Sequence, residues 1–230
     1  AIGYWLFRLK RLESGIFGLN VAYPNYGYMG IPLAILAFGD AAALPMALIL
    51  FADTIVLLAL TSCFVAGNDG GVTESVKRIA VTMVSNPLVL AVMAGLLFSA
   101  SGLALPKIPQ QFGSLLAGAA APVALFALGA TLFGQPVRAA AGEVTAISLL
   151  KLIVHPLLVA FFFLAIPGQD PLWIKVAILS SCLPVAANVF MLANHYGAYT
   201  GRTASAILVS TVFASTTVPV FLYWLFYGQG

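Results

Sequence analysis

Seven apolar segments, each long enough to cross a bilayer, follow one another along this chain at roughly 16–38, 41–66, 79–101, 113–134, 144–166, 174–196 and 204–227. A hydrocarbon core about 30 Å thick takes about 20 helical residues at about 1.5 Å each, so each segment is read as one crossing. In lipid only helices and closed barrels satisfy their own backbone polar groups, and segments of this length are helices rather than barrel strands. The predicted fold class is therefore an all-α integral membrane protein. Composition closes the alternative: 62% of residues are hydrophobic and 7% are charged, where a soluble domain carries about 25% charge.

The connections are short and hold most of the charge, glycine and proline: "RLKRLES", "GNDGGVTESVKR", "LALPKIPQQ", "GQPVRAAAGE", "PGQDPLWIK" and "GAYTGR". Counting basic residues in alternate loops separates two faces. One face holds Arg8, Lys10, Arg11, Lys77, Arg78, Arg138 and Arg202; the other holds Lys107 and Lys175. Basic residues collect on the cytoplasmic side, so the first face is cytoplasmic and the C-terminus lies outside. This bias accounts for the net charge of +3 without an acidic partner, and the scattered basic residues form no nucleic-acid face. Cys63 and Cys182 lie in apolar segments and read as small buried hydrophobes, with no metal or cofactor pattern beside them. The opening "AIGYWLF" is too short to span and lacks a signal peptide's charged start, so it reads as the end of a helix in a chain that is a fragment.

Two of the seven segments are interrupted. In "YPNYGYMGIP", residues 23–32, Pro24 stands eight residues inside its segment, roughly 12 Å deep from the cytoplasmic side. In "IKVAILSSCLPVAANVFMLANHYG" Pro184 stands ten residues inside from the opposite face, roughly 15 Å deep. Both breaks fall near the midplane, with Asn25 beside one and Asn188 beside the other. Packing kinks explain a single such proline. A matched pair entering from opposite faces is the pattern of an inverted-repeat secondary transporter. Breaking a helix in lipid frees backbone groups, which is tolerated only against protein or a water-filled cavity. The freed N-termini suit an anion and the freed C-termini a cation, while an Asn side chain both donates and accepts. Pro24, Asn25, Gly27, Pro184 and Asn188 are the candidate substrate-binding residues.

These residues carry a family resemblance. "YPNYGYMGIPLAILAFG" resembles the fourth helix of the auxin efflux carrier family, with its Pro-Asn pair and Met-Gly-Ile-Pro-Leu run, and "VAILSSCLPVAANVFMLANHYG" resembles the ninth. "VKRIAVTMVSNPLVLAVMAGLL", "APVALFALGATL" and "KLIVHPLLVAFFF" are similar to the sixth, seventh and eighth helices, in order. The resemblance implies ten helices in two inverted repeats of five, with two crossed, proline-broken helices in a fold related to bile-acid and sodium–proton transporters. About seven helices and part of another are present here, and the short loop 67–78 is similar to the bacterial branch. The implied organisation is 1–66 as the end of the first repeat, 67–78 as the inter-repeat loop, 79–134 as scaffold helices and 135–230 as transport-domain helices. Asn25 matches the family's substrate-site asparagine and Pro184 its crossing proline. A homodimer through the scaffold, in a bacterial inner membrane, is also implied.

Three ionisable residues lie within spans: Asp53 in "LILFADTIVLL", and Lys151 and His155 in "SLLKLIVHPLL". A charge at a helix centre costs about 2.5–3.5 kcal/mol on insertion scales, so the default reading is functional. Asp53 then binds a proton or coupling ion, Lys151 compensates its charge and His155 relays a proton. The alternatives are a snorkelling Lys151, an Asp53 in a local polar network and a packed neutral His155.

The leading expectation is a secondary transporter moving a small organic anion, such as a mono- or dicarboxylate, by an elevator-like motion with a proton or ion gradient. A sodium-coupled anion symporter or cation–proton antiporter of the related fold is the alternative, and a cluster of intramembrane acids would favour it. An enzyme is not expected, since Ser180, Ser181, His155 and Asp53 are scattered and no HExxH or GxSxG motif occurs. A structural subunit gives no reason for two midplane breaks.

Overall fold

A computed structural model describes residues 2–65, 77, 81, 87–132 and 140–228. Among them every regular element is helical: α1 (Ile2–Phe7), α2 (Arg11–Ala22), a π-helical turn π1 (Tyr26–Gly30), α3 (Ile31–Phe38), a 3-10 turn (Asp40–Ala42), α4 (Ala43–Val65), α5 (Pro87–Ala100), α6 (Lys107–Leu132), α7 (Ala141–Leu149), a second π-helical turn π2 (Leu150–Val154), α8 (His155–Ala165), α9 (Pro171–Ser181), α10 (Ala187–His195) and α11 (Thr200–Tyr227). Two continuous stretches, Ala141–Ala165 and Thr200–Tyr227, are long and apolar enough to cross a membrane. α4 and α6 run through most of the expected segments 41–66 and 113–134, and the start of the expected segment 79–101 lies outside the described residues.

The chain divides into two compact units, one of Ala1–Met46 and Pro122–Gly230, the other of Ala47–Ala121. The first unit holds both interrupted segments. Its core comes from Ile147, Leu152, Val176, Ile178, Leu179, Leu183, Val185, Val189 and Ile207, all at most 2% exposed. Its outer surface carries many large apolar side chains: Leu36 is 83% and Phe126 81% exposed. In water such a surface marks an interface or an aggregation liability; in lipid it is the ordinary exterior. The second unit holds most of α4 and all of α5, and it too exposes large apolar side chains, among them Leu97 and Ile108.

Local sequence explains the element ends. Asp170 caps α9 by accepting the Leu172 N–H at 2.7 Å, with Pro171 at the first helical position. Glu13 accepts the Lys10 N–H at 3.2 Å at the start of α2. Both π turns stand just before a proline, Pro32 and Pro156, each the second residue of the next helix. Proline offers no N–H, and its ring crowds the carbonyl four residues back. The ladder widens by one residue there, and the N–H of Ile31 reaches Tyr26 O while that of His155 reaches Leu150 O.

Candidate functional site

The two interruptions meet. Pro24 and Val185 form an isolated antiparallel β-bridge, flanked by Asn25 N–H to Pro184 O at 2.9 Å and Ala186 N–H to Tyr23 O at 3.2 Å. Tyr23 is extended, as a residue before proline prefers, so α2 stops one residue earlier. Most of the freed backbone groups find partners. Asn25 O accepts from Met29 and Gly30, Pro24 O accepts from Tyr26, and Cys182 N–H returns to Ile178 and Leu179. The Val185 N–H is met by a side chain, Ser210 Oγ on α11, at 3.1 Å. Tyr23, Pro24, Asn25, Pro184, Val185 and Ala186 are all buried. Four helix ends thus converge on one buried crossing, those of α2, α3 with its π turn, α9 and α10.

One donor at the crossing has no partner. The Asn25 side chain is 2% exposed, and its Nδ2 is buried without a hydrogen bond. Leaving such a group unmet costs about 1–3 kcal/mol, and a native protein retains such an atom for a reason.

The expected site residues separate into groups. Pro24, Asn25 and Pro184 are brought together by the bridge. Asn188 lies half-buried in the first turn of α10, two residues after the bonded Ala186. Gly27 is exposed within π1, and a Cβ there would meet nothing within 4 Å. Gly30 is the more closely packed glycine: a Cβ there would meet Met46 Cε, the end of a flexible side chain, and stand 3.1 Å from Leu183 Cδ1.

Lys151 and His155 also come together. Lys151 is completely buried in π2, with Nζ 2.7 Å from His155 Nδ1 and donating to Ser181 O at 3.2 Å. It does not snorkel to the interface. Asp53 belongs to the other unit, ten residues into α4 and half-buried. Cys182 is buried beside the break, whereas the Cys63 side chain lies outside the described residues.

Sequence reasoning missed two further polar features. Asn20, fully buried, donates to Ile16 O at 2.9 Å and to Thr203 Oγ1 at 3.0 Å, tying α2 to α11. At the start of the same helices Arg202 lies 3.8 Å from Glu13 and 3.6 Å from Glu143, over the Tyr199 ring, and Tyr199 donates its hydroxyl to Glu143. Burial first, then the Glu143 contact, pushes the Tyr199 hydroxyl well above its ordinary value of 10.0. The signal for the first feature was an amide and hydroxyls inside otherwise apolar spans.

Residues 71–222 match the family model described as "Membrane transport protein". A Rhizobium meliloti (strain 1021) protein named "Putative malonate transporter" is 35% identical over 227 residues, covering 97% of this chain and 71% of that protein. An "Uncharacterized transporter" of Methanothermobacter thermautotrophicus is 29% identical over 95% of this chain and 72% of its own length. The "Uncharacterized transporter YfdV" of Escherichia coli (strain K12) is 23% identical over 96% of this chain and 71% of its own.

Proposed function

The chain belongs to the membrane transport protein family, as its auxin efflux carrier resemblance led one to expect, and from that premise we propose that it is a secondary active transporter of a small organic anion. One observation carries the reading. At the meeting of two interrupted spans, the buried amide of Asn25 holds a donor with no partner. A carboxylate is acceptor-only and meets that donor without leaving one of its own unmet. The neighbouring helix ends serve it electrostatically, since N-termini favour an anion. A dicarboxylate such as malonate, the compound in the name of the Rhizobium relative, is the first substrate to test.

In this reading the two breaks are the crossed helices of an inverted repeat. Pro24, Asn25, Gly27, Pro184 and Asn188 surround the substrate, and Asp53, Lys151 and His155 serve ion coupling. The helices of 1–66 and 135–230 act as the transport domain and those of 79–134 as the scaffold, with the substrate carried in an elevator-type step. The protein works in the inner membrane with its C-terminus outside, and as a homodimer through the scaffold.

The test is uptake of labelled malonate and other carboxylates into proteoliposomes containing the full-length protein, with imposed pH or sodium gradients. Removing a donor that bonds a charged group costs about 1.5–3 kcal/mol, so Asn25→Ala is expected to raise KM about 10- to 150-fold. Asn25→Asp, which sets one carboxylate against another, is expected to abolish uptake. Unchanged uptake in Asn25→Ala removes the site; no carboxylate movement by folded wild-type protein removes the carrier assignment.

A further inference from the structure

Lys151 ends on an unusual acceptor. Ser181 is the last residue of α9, the first half of the broken span, and its carbonyl oxygen accepts from the Lys151 ammonium at 3.2 Å. The final carbonyls of a helix lack intrahelical donors, and the macrodipole places partial negative charge on them. Inside a membrane, the C-terminal end of a half-helix is where a carrier coordinates a coupling cation. In this chain a cation attached to the backbone already reaches that end.

The approach is built locally. Lys151 and His155 stand four residues apart, on one face of the helix, and π2 lies immediately before the proline that widens the ladder. An ammonium has three donors and no acceptor, so His155 Nδ1, at 2.7 Å, receives a hydrogen bond from it. The contact with the ring aims the Lys151 side chain at the helix end. The side chain is entirely buried, so its terminal nitrogen lies inside the unit and not at its outer surface.

We propose that the Lys151 ammonium is a tethered cation that takes the place of a diffusible metal ion at the C-terminal end of α9, so that transport runs without sodium. The proposal rests on the carrier reading and narrows its coupling. A sodium ion brought to the Ser181 carbonyl would meet a fixed positive charge already bonded there, and two cations on one acceptor in a dry interior repel strongly.

The experiment compares wild type and Lys151→Ala in sodium chloride, propylammonium chloride and N-methylglucamine chloride at equal ionic strength. Two quantities are read on the full-length protein: exchange of labelled malonate in proteoliposomes, and the thermal unfolding midpoint in detergent. Propylammonium restores the atoms that alanine lacks, while N-methylglucamine is far larger than those atoms. Wild type is expected to give the same exchange rate and midpoint in all three salts. Lys151→Ala in N-methylglucamine is expected to lose about tenfold or more in exchange, because the helix end has lost its buried cation. Propylammonium or sodium is expected to restore much of that loss and to raise the variant's midpoint. Sodium stimulation of the wild type overturns the proposal, even if the alanine variant cannot be purified folded. So does a folded Lys151→Ala indifferent to all three cations. If wild type moves no malonate while the midpoints respond as stated, the carrier reading fails and the tethered cation stands.

Discussion

Replacing Ser210 by alanine tests whether the crossing is held by complete pairing of its backbone. The Ser210 hydroxyl receives the Val185 N–H at 3.1 Å, and both residues are 0% exposed. Val185 is paired with Pro24 in the bridge, so its N–H has no neighbouring strand to turn to. Alanine leaves almost the same shape but strands that donor, and an orphaned buried donor costs about 1–3 kcal/mol. For a chain of this size each kcal/mol is worth about 2–4 °C in Tm. Thermal unfolding of the purified protein in detergent reads the effect. Ser215→Ala is the control, since the exposed Ser215 hydroxyl only donates to Val212 O on its own helix, and a loss within about 0.5 kcal/mol is expected. A second readout is amide exchange at Val185, expected to accelerate in Ser210→Ala. Equal midpoints for the two alanine variants, with unchanged exchange at Val185, would refute the argument.

Two further outcomes are expected. Gly30→Ala sets a Cβ against Met46 Cε, the end of a flexible side chain, and 3.1 Å from Leu183 Cδ1, and is expected to cost about 1 kcal/mol as the methionine turns aside; Gly27→Ala, with nothing within 4 Å, is expected to be neutral or stabilising by about 0.4–1 kcal/mol in the same unfolding assay. Tyr199→Phe is expected to flatten the alkaline limb of stability. The folded protein holds the Tyr199 proton above the ordinary value of 10.0, so its contribution is complete below that pH and is lost as pH rises past it. Unfolding midpoints of both proteins from about pH 8 to about pH 11 give the comparison, and parallel curves would remove the role assigned to burial.

The positions of the breaks were legible in the sequence because proline acts locally: Pro24 and Pro184 stop their helices wherever the rest of the chain lies. The helical class was legible for a similar reason, since lipid leaves a long apolar segment few ways to satisfy its backbone. That the breaks pair through Pro24 and Val185 was not legible, because a register between residues so distant in sequence depends on tertiary packing. The choice of Gly27 over Gly30 shows the same limit. Both glycines sit in one interrupted stretch, and only the approach of Met46 and Leu183 distinguishes them. Lys151 was recognised as out of place by its charge alone, but one of its acceptors is a backbone carbonyl, and no residue type announces that. Ser210 went unnoticed because a serine in a membrane helix ordinarily bonds back to its own helix, as Ser215 does and as Ser210 also does to Ile207 O at 3.2 Å.

The two π turns also bear on how chains of this kind compare in length. A π turn holds one residue more than an α-helix needs over the same stretch. Deleting one residue within 150–154 would return that stretch to α geometry and leave its two flanks almost where they were, because the five residues of the π turn cover about the stretch and the rotation that four α-helical residues cover. The same holds for 26–30. When relatives are aligned, single-residue gaps are therefore expected inside these two spans as well as in loops. Such a gap would leave both ends of the helix at their own side of the bilayer and the flanking side chains on their present faces, changing only the turn itself.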